Sequence, residues 1–141
     1  MQTLFVRRED YPGDQSWRLL DWCVARGANE FSLAFLGPPY VPRTTWAQVD
    51  ELLAPFRRRV ASAGDRWLLT SEAVTVLRGV LPGGLFASVP GESSVEDPTV
   101  YRGGEALLRI VTRQGEGILQ LRDDEEASLE RAGLPVHLRA S

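Results

Sequence analysis

The chain contains no lysine, one cysteine, one histidine and one methionine. Without lysine there is no phosphate-loop lysine, no Schiff-base nucleophile, no kinase-type strand lysine and no lysine general base. With Cys23 alone, an internal disulfide and a cysteine-built zinc or iron–sulfur site are excluded, which suits a reducing compartment. Any imidazole general base would have to be His137, and no serine lies in a Gly-x-Ser-x-Gly elbow, so the Ser-His-Asp arrangement has no motif here. A run of about 18 apolar residues is also missing, and the opening MQTLFVRREDYPG lacks a long apolar core. Neither export nor membrane spanning is expected, and the expected location is the cytoplasm.

What is present is ordinary for a folded protein. The 141 residues are 43% hydrophobic and 25% charged, away from the composition of disordered chains. A chain of this length buries about two thirds of the surface its unfolded form exposes, so residues 1–141 are expected to form a single globular domain. The net charge of −3 argues against a dedicated nucleic-acid binder. All 16 basic side chains are arginine, a skew that points to GC-rich bacterial coding rather than to any packing demand.

Periodicity places the elements. Residues 3–8 read as a strand ended by Pro12 and Gly13, followed by a helix capped by Asp14 or Ser16. Trp17, Leu20, Cys23 and Val24 form its apolar face, Trp22 lies off that stripe, and Gly27 ends it. Residues 30–36 alternate, with Phe31, Leu33 and Phe35 on one side. Thr45 and Gln48 suggest a capping box for a second helix through Trp46, Val49, Leu52, Leu53, Phe56 and Val60, kinked at Pro55. Arg57, Arg58 and Arg59 would then fan around that helix as a solvated surface.

Residues 66–70 read as a short strand, and Thr70 or Ser71 caps a third helix whose Val74, Leu77, Val80 and Leu81 face inward. Residues 84–89 suggest a strand and 90–99 an exposed loop. Residues 123–133 read as a helix with Asp123, Asp124, Glu125 and Glu126 matched to its dipole, and 134–140 as a closing strand. The expected class is α+β: a mixed or antiparallel sheet with three to four helices packed on it and a C-terminal β-hairpin, residues 105–122.

In that hairpin Gln114 and Gly115 are the expected turn, which pairs Val111 with Ile118, Arg109 with Gln120 and Ile110 with Leu119. Ile110, Leu119, Leu108 and Leu121 face the core, while Arg109, Arg113 and Arg122 face water. Those arginines either form a solvated face that discourages stray strand pairing or bind an acidic partner or a phosphate. The 95–105 stretch is the most site-like loop, gathering Glu96, Asp97, Tyr101, Arg102 and Glu105 beside Gly103 and Gly104, although turn chemistry accounts for it equally. Cys23 reads as a buried inert thiol, His137 as structural, and the four tryptophans as core.

No catalytic residue, metal site or cofactor is expected. The leading functional reading is a small non-enzymatic protein-interaction domain, of which an immunity or antitoxin-like inhibitor is one form. The alternatives are small-molecule binding or hydrolysis using the 95–105 loop, and phosphate or nucleic-acid recognition through the hairpin arginines. Asp97, Tyr101, Arg102, Glu105, Arg109, Arg113 and Arg122 are the candidate binding residues.

Overall fold

The computed structural model describes residues 1–35, 46–60, 64–86 and 95–140. Among them the elements run β1 (Gln2–Arg7), α1 (Ser16–Ala25), β2 (Glu30–Phe35), α2 (Trp46–Leu53), β3 (Arg57–Val60), β4 (Gly64–Leu68), α3 (Ser71–Val80), β5 (Val95–Arg102), β6 (Glu105–Val111), β7 (Glu116–Leu121) and α4 (Glu125–Arg131). The seven strands form one sheet in the order β1-β7-β6-β5-β2-β4-β3. Every pairing is antiparallel, so the mixed-sheet alternative falls.

Strand alternation divides this sheet into two unlike faces. One row across it joins Leu4, Leu119, Leu108, Val100, Phe31 and Trp67 by register. Each of these is at most 1% exposed. Leu19, Leu20, Cys23, Leu53, Leu77 and Leu129 from the four helices share their core. The adjacent row, Phe5, Ile118, Arg109, Thr99 and Ser32, points the other way and is half-buried or exposed throughout. The helices therefore lie on one face, and no described helix covers the other.

Local chemistry sets the element ends. Thr70 caps α3 by accepting the Ala73 N–H at 3.1 Å. Ser16 does not cap α1 as expected; its hydroxyl accepts the Leu85 N–H at 2.8 Å and ties the start of the helix to residues 84–86, which form a turn rather than the expected strand. The remainder of that expected strand, residues 87–89, and the expected cap Thr45 lie outside the described residues. On α1 the expected Trp17, Leu20 and Cys23 are buried, but Val24 is 40% exposed while Leu19 and Trp22 are buried, so the inward face extends toward Leu19 and Trp22 instead of Val24.

Pro55 ends α2 instead of kinking it: Ala54–Phe56 make a 3-10 turn and the chain leaves as β3. A proline, which lacks a backbone donor, sits readily in the first turn of a new helix, where Pro55 is the second residue. Arg57 and Arg58 consequently stand on an edge strand rather than on a helix. Residues 95–99, expected as loop, belong to β5, with Asp97 at φ 51 marking an irregularity in the pairing with β2. The tail 134–140 is not a strand; it contributes a single bridge in which Phe5 and His137 exchange N–H···O=C bonds at 2.7 Å.

Residues 105–122 are not a hairpin standing by itself. β6 and β7 are interior strands held between β5 and β1. Their register pairs Arg109 with Ile118 and Ile110 with Gly117, two residues from the expected pairing, so the aliphatic and arginine faces are kept. The displacement arises because the connection takes Thr112–Gly115. Thr112–Gln114 form a 3-10 turn and Gly115 closes it at φ 64. Thr112 is drawn out of the ladder by Asp97: its N–H donates to Asp97 Oδ1 at 2.8 Å, and its hydroxyl accepts the Asp97 N–H at 2.9 Å.

Candidate functional site: the arginine cluster on the uncovered sheet face

Glu30 opens β2 on the uncovered face, opposite Tyr101 of β5 and Leu68 of β4. It is only 4% exposed. A carboxylate so far from water is tolerated only beside positive charge. Two arginines supply it, with Arg58 Nη1 at 3.2 Å from Oε2 and Arg66 Nη1 at 3.9 Å from Oε1. Arg58 and Arg66 are directly opposed across the β3–β4 ladder, where like charges repel. Glu30 relieves that repulsion and leaves the trio with one net positive charge.

The Arg66 guanidinium lies over the Tyr101 ring, 3.8 Å from its centroid, a cation–π contact that holds the charge in place. The Tyr101 hydroxyl shares a 2.9 Å hydrogen bond with Ser32 Oγ. The cluster is held in place, but its hydrogen bonding is incomplete. Glu30 Oε2 and Arg66 Nε are buried without a hydrogen-bond partner among the described residues, since Arg58 approaches Oε2 without hydrogen-bond alignment. Arg58 keeps 54% of its side chain exposed. Further along the same face, exposed Arg109 forms no hydrogen bond or ion pair with a described residue.

A second carboxylate shows what a completed network looks like. Glu125, at the start of α4, is fully buried. Arg102 donates Nη1 to Oε2 at 2.7 Å and Nη2 to Oε1 at 2.9 Å. Arg26 Nε donates at 2.9 Å and the Arg122 backbone N–H at 2.8 Å. The Arg102 hydrogen bonds, ahead of the other causes, hold the Glu125 carboxyl down to about 2. Arg102 also donates to the Arg26 carbonyl at 3.2 Å, so one ion group ties the end of β5 to α1 and α4. Glu125 and Glu126 do lie in the first turn of α4 as the dipole reading expects, and burial makes Glu125 a structural anchor as well.

The expected site residues separate. Tyr101 and Arg109 share the uncovered face. Arg102 leaves β5 on the opposite side, toward Glu125, and its guanidinium is consumed there. Arg102, Glu105 and Arg122 line a cleft of about 620 Å³ floored by Leu107 and Leu121. Asp97 is engaged with Thr112, and Arg113 sits on the exposed β6–β7 connection, where its charge opposes the upward push of burial on the Glu96 carboxyl. The 95–105 segment is accordingly no single loop site: its neighbouring side chains diverge to the two faces of a strand. Glu30, Arg58 and Arg66 were missed by sequence reasoning. Assigning a face to Glu30, the first residue of the expected strand 30–36, would have marked it as the one acid of that strand on the face shared with Ser32.

Elsewhere, Cys23 is fully buried and desolvation pushes its thiol up to about 12, a state without nucleophilic character at neutral pH. His137 Nε2 meets Asp10 Oδ2 at 2.6 Å beside the Phe5 bridge, which joins the tail to the turn after β1. Among the described residues no group of three metal-ligating side chains converges, and no helix is long and apolar enough to cross a membrane. No protein-family model, no curated protein and no solved structure matches this chain.

Proposed function

We propose that the chain is a non-enzymatic protein-interaction domain that docks its partner on the sheet face that no described helix covers. The observation that carries this reading is the Arg66–Tyr101 stack, set among Arg58, Ser32, Thr99 and Arg109 on a face without a described helix. Tyrosine and arginine dominate binding hot spots because each offers a broad contact surface and directed hydrogen bonds. A stack fixed before binding loses little conformational freedom on docking. An inhibitor of the immunity or antitoxin type is the narrower form of the proposal, since such a protein needs a rigid complementary face and no reactive groups.

The test uses three baits against lysate of the native organism: the wild type, Arg66→Glu with Arg109→Glu, and a helix-side control, Glu126→Arg with Glu130→Arg. One protein retained by the wild type and the control but lost by the sheet-face variant supports the reading. Loss on the helix-side bait alone, or equal retention by all three, contradicts it. The cleft beside Arg102, Glu105 and Arg122 favours a second reading, small-molecule binding, because its floor is apolar and its rim polar. A ligand there would protect the protein thermally in an Arg122-dependent manner.

A further inference from the structure

We infer that the uncovered face takes an acidic, extended segment of a protein partner, with carboxylates seated on Arg66, Arg58 and Arg109 and a backbone N–H donated to Glu30. The inference rests on the docking reading above and adds the chemistry of the partner.

Charge complementarity gives the sign. The protein is acidic overall, at −3, yet among the described exposed acids Asp21, Glu51, Glu72, Asp124 and Glu130 lie on or beside the helices and Glu105 at the start of β6 pairs in register with Arg102, toward the Glu125 side. On the sheet face Arg58 and Arg66 flank Glu30, which is sunk beside them, and Arg109 stands two strands away on β6; Glu116 and Glu96 share this face by register, Glu116 opposite Arg7. The local field on this face therefore attracts anions although the whole molecule does not.

Hydrogen-bond geometry narrows the anion. Arg66 is held 3.8 Å over the Tyr101 ring and 3.9 Å from Glu30, so its guanidinium is positioned before binding, which favours a charge-assisted contact with a carboxylate. Glu30 Oε2, buried and without a hydrogen bond, is an acceptor in want of a donor. Arg58, half exposed and poorly aligned with Oε2, can turn outward to a partner carboxylate and open that oxygen to an incoming N–H. A peptide carries both groups: side-chain carboxylates for the arginines and backbone amides for Glu30. A phosphodiester backbone offers the arginines charge but brings Glu30 no N–H, and it meets that carboxylate as a like charge.

The experiment titrates 15N-labelled full chain with a capped decapeptide of alternating Glu and Gly, and separately with a short thymidine oligonucleotide, at one ionic strength. The peptide is expected to shift the Ser32, Thr99 and Tyr101 amides. Arg66→Gln and Arg109→Gln should each weaken it about tenfold or more, the loss of a charge-assisted hydrogen bond. Because Arg109 is exposed and unpaired among the described residues, its variant stays folded even if Arg66→Gln does not. Glu30→Met should act with opposite signs, lowering peptide affinity through the lost acceptor and raising oligonucleotide affinity through the lost negative charge.

Peptide shifts confined to the helices, no shifts at all, or tighter binding of the oligonucleotide to the wild-type face would overturn the inference. If the peptide fails while the sheet-face bait still loses its cellular protein, the acidity of the partner is wrong and the docking face stands. If both fail, the docking face falls with it.

Discussion

Glu30 and Glu125 are both buried glutamates, each set against two arginines, and they are employed in opposite ways. Glu125 accepts from Arg102 through both oxygens, from Arg26 and from a backbone N–H. Glu30 faces Arg58 and Arg66 at 3.2 and 3.9 Å and keeps Oε2 without a hydrogen bond. A buried ion pair offsets its desolvation only where its hydrogen bonds are complete. Glu125 meets that condition, in the crevice where α1, α4 and the end of β5 converge, so it stabilises the fold. Glu30 does not meet it, on a face without a described helix, so its cluster is organised for something other than stability.

The comparison breaks most visibly at Arg102. Arg102→Ala leaves Glu125 buried beside Arg26 alone and should cost about 3–5 kcal/mol, the range for removing one partner of a buried pair, measured by urea unfolding. A loss below about 1 kcal/mol, the level of a surface pair, would mean that the network is not an anchor.

Acid titration comes next. The folded-state value of Glu125 is depressed to about 2, below its unfolded value, so its contribution is complete above the unfolded value and disappears as pH falls toward 2. The contribution amounts to about 3 kcal/mol, one unit being about 1.4 kcal/mol. Melting temperature followed from pH 6 downward should drop through the acid range in the wild type, and Glu125→Gln should lack that part of the drop.

Smaller effects sharpen the other side of the comparison. Arg58→Ala removes a half-exposed arm that makes no aligned hydrogen bond to Glu30 and leaves Arg66 beside the carboxylate, so it should cost at most about 1 kcal/mol in thermal unfolding. Arg109→Glu should stay within about 0.5 kcal/mol of the wild type, as surface substitutions do, while altering any binding on that face. A large loss from Arg109→Glu would make that arginine structural and remove it from the docking surface.

The sequence made some elements readable for physical reasons that can be named. β1, β2, α1 and α3 follow from period-2 or helical spacing and from punctuation such as Thr70 and Gly27. β3 was hidden because Arg57–Arg59 show no alternation, and an edge strand needs none when its charges discourage foreign pairing. β5 was hidden by Pro98 and by Asp97 at φ 51, both of which read as turn chemistry until the Thr112 contact, fifteen positions away, is known. The same contact moved the β6–β7 register by two residues. The candidate site was legible only at Tyr101 and Arg109. Its remaining members, Glu30, Arg58 and Arg66, meet through the order β5-β2-β4-β3, which no local pattern specifies.

The most direct measurement is equilibrium urea unfolding of Glu125→Gln and Glu30→Gln side by side at pH 7. The account predicts that Glu125→Gln loses at least about 2 kcal/mol more than Glu30→Gln, a gap set by complete against incomplete hydrogen bonding of a buried charge. Equal losses, or a larger loss for Glu30→Gln, would make Glu30 a second anchor and contradict the account.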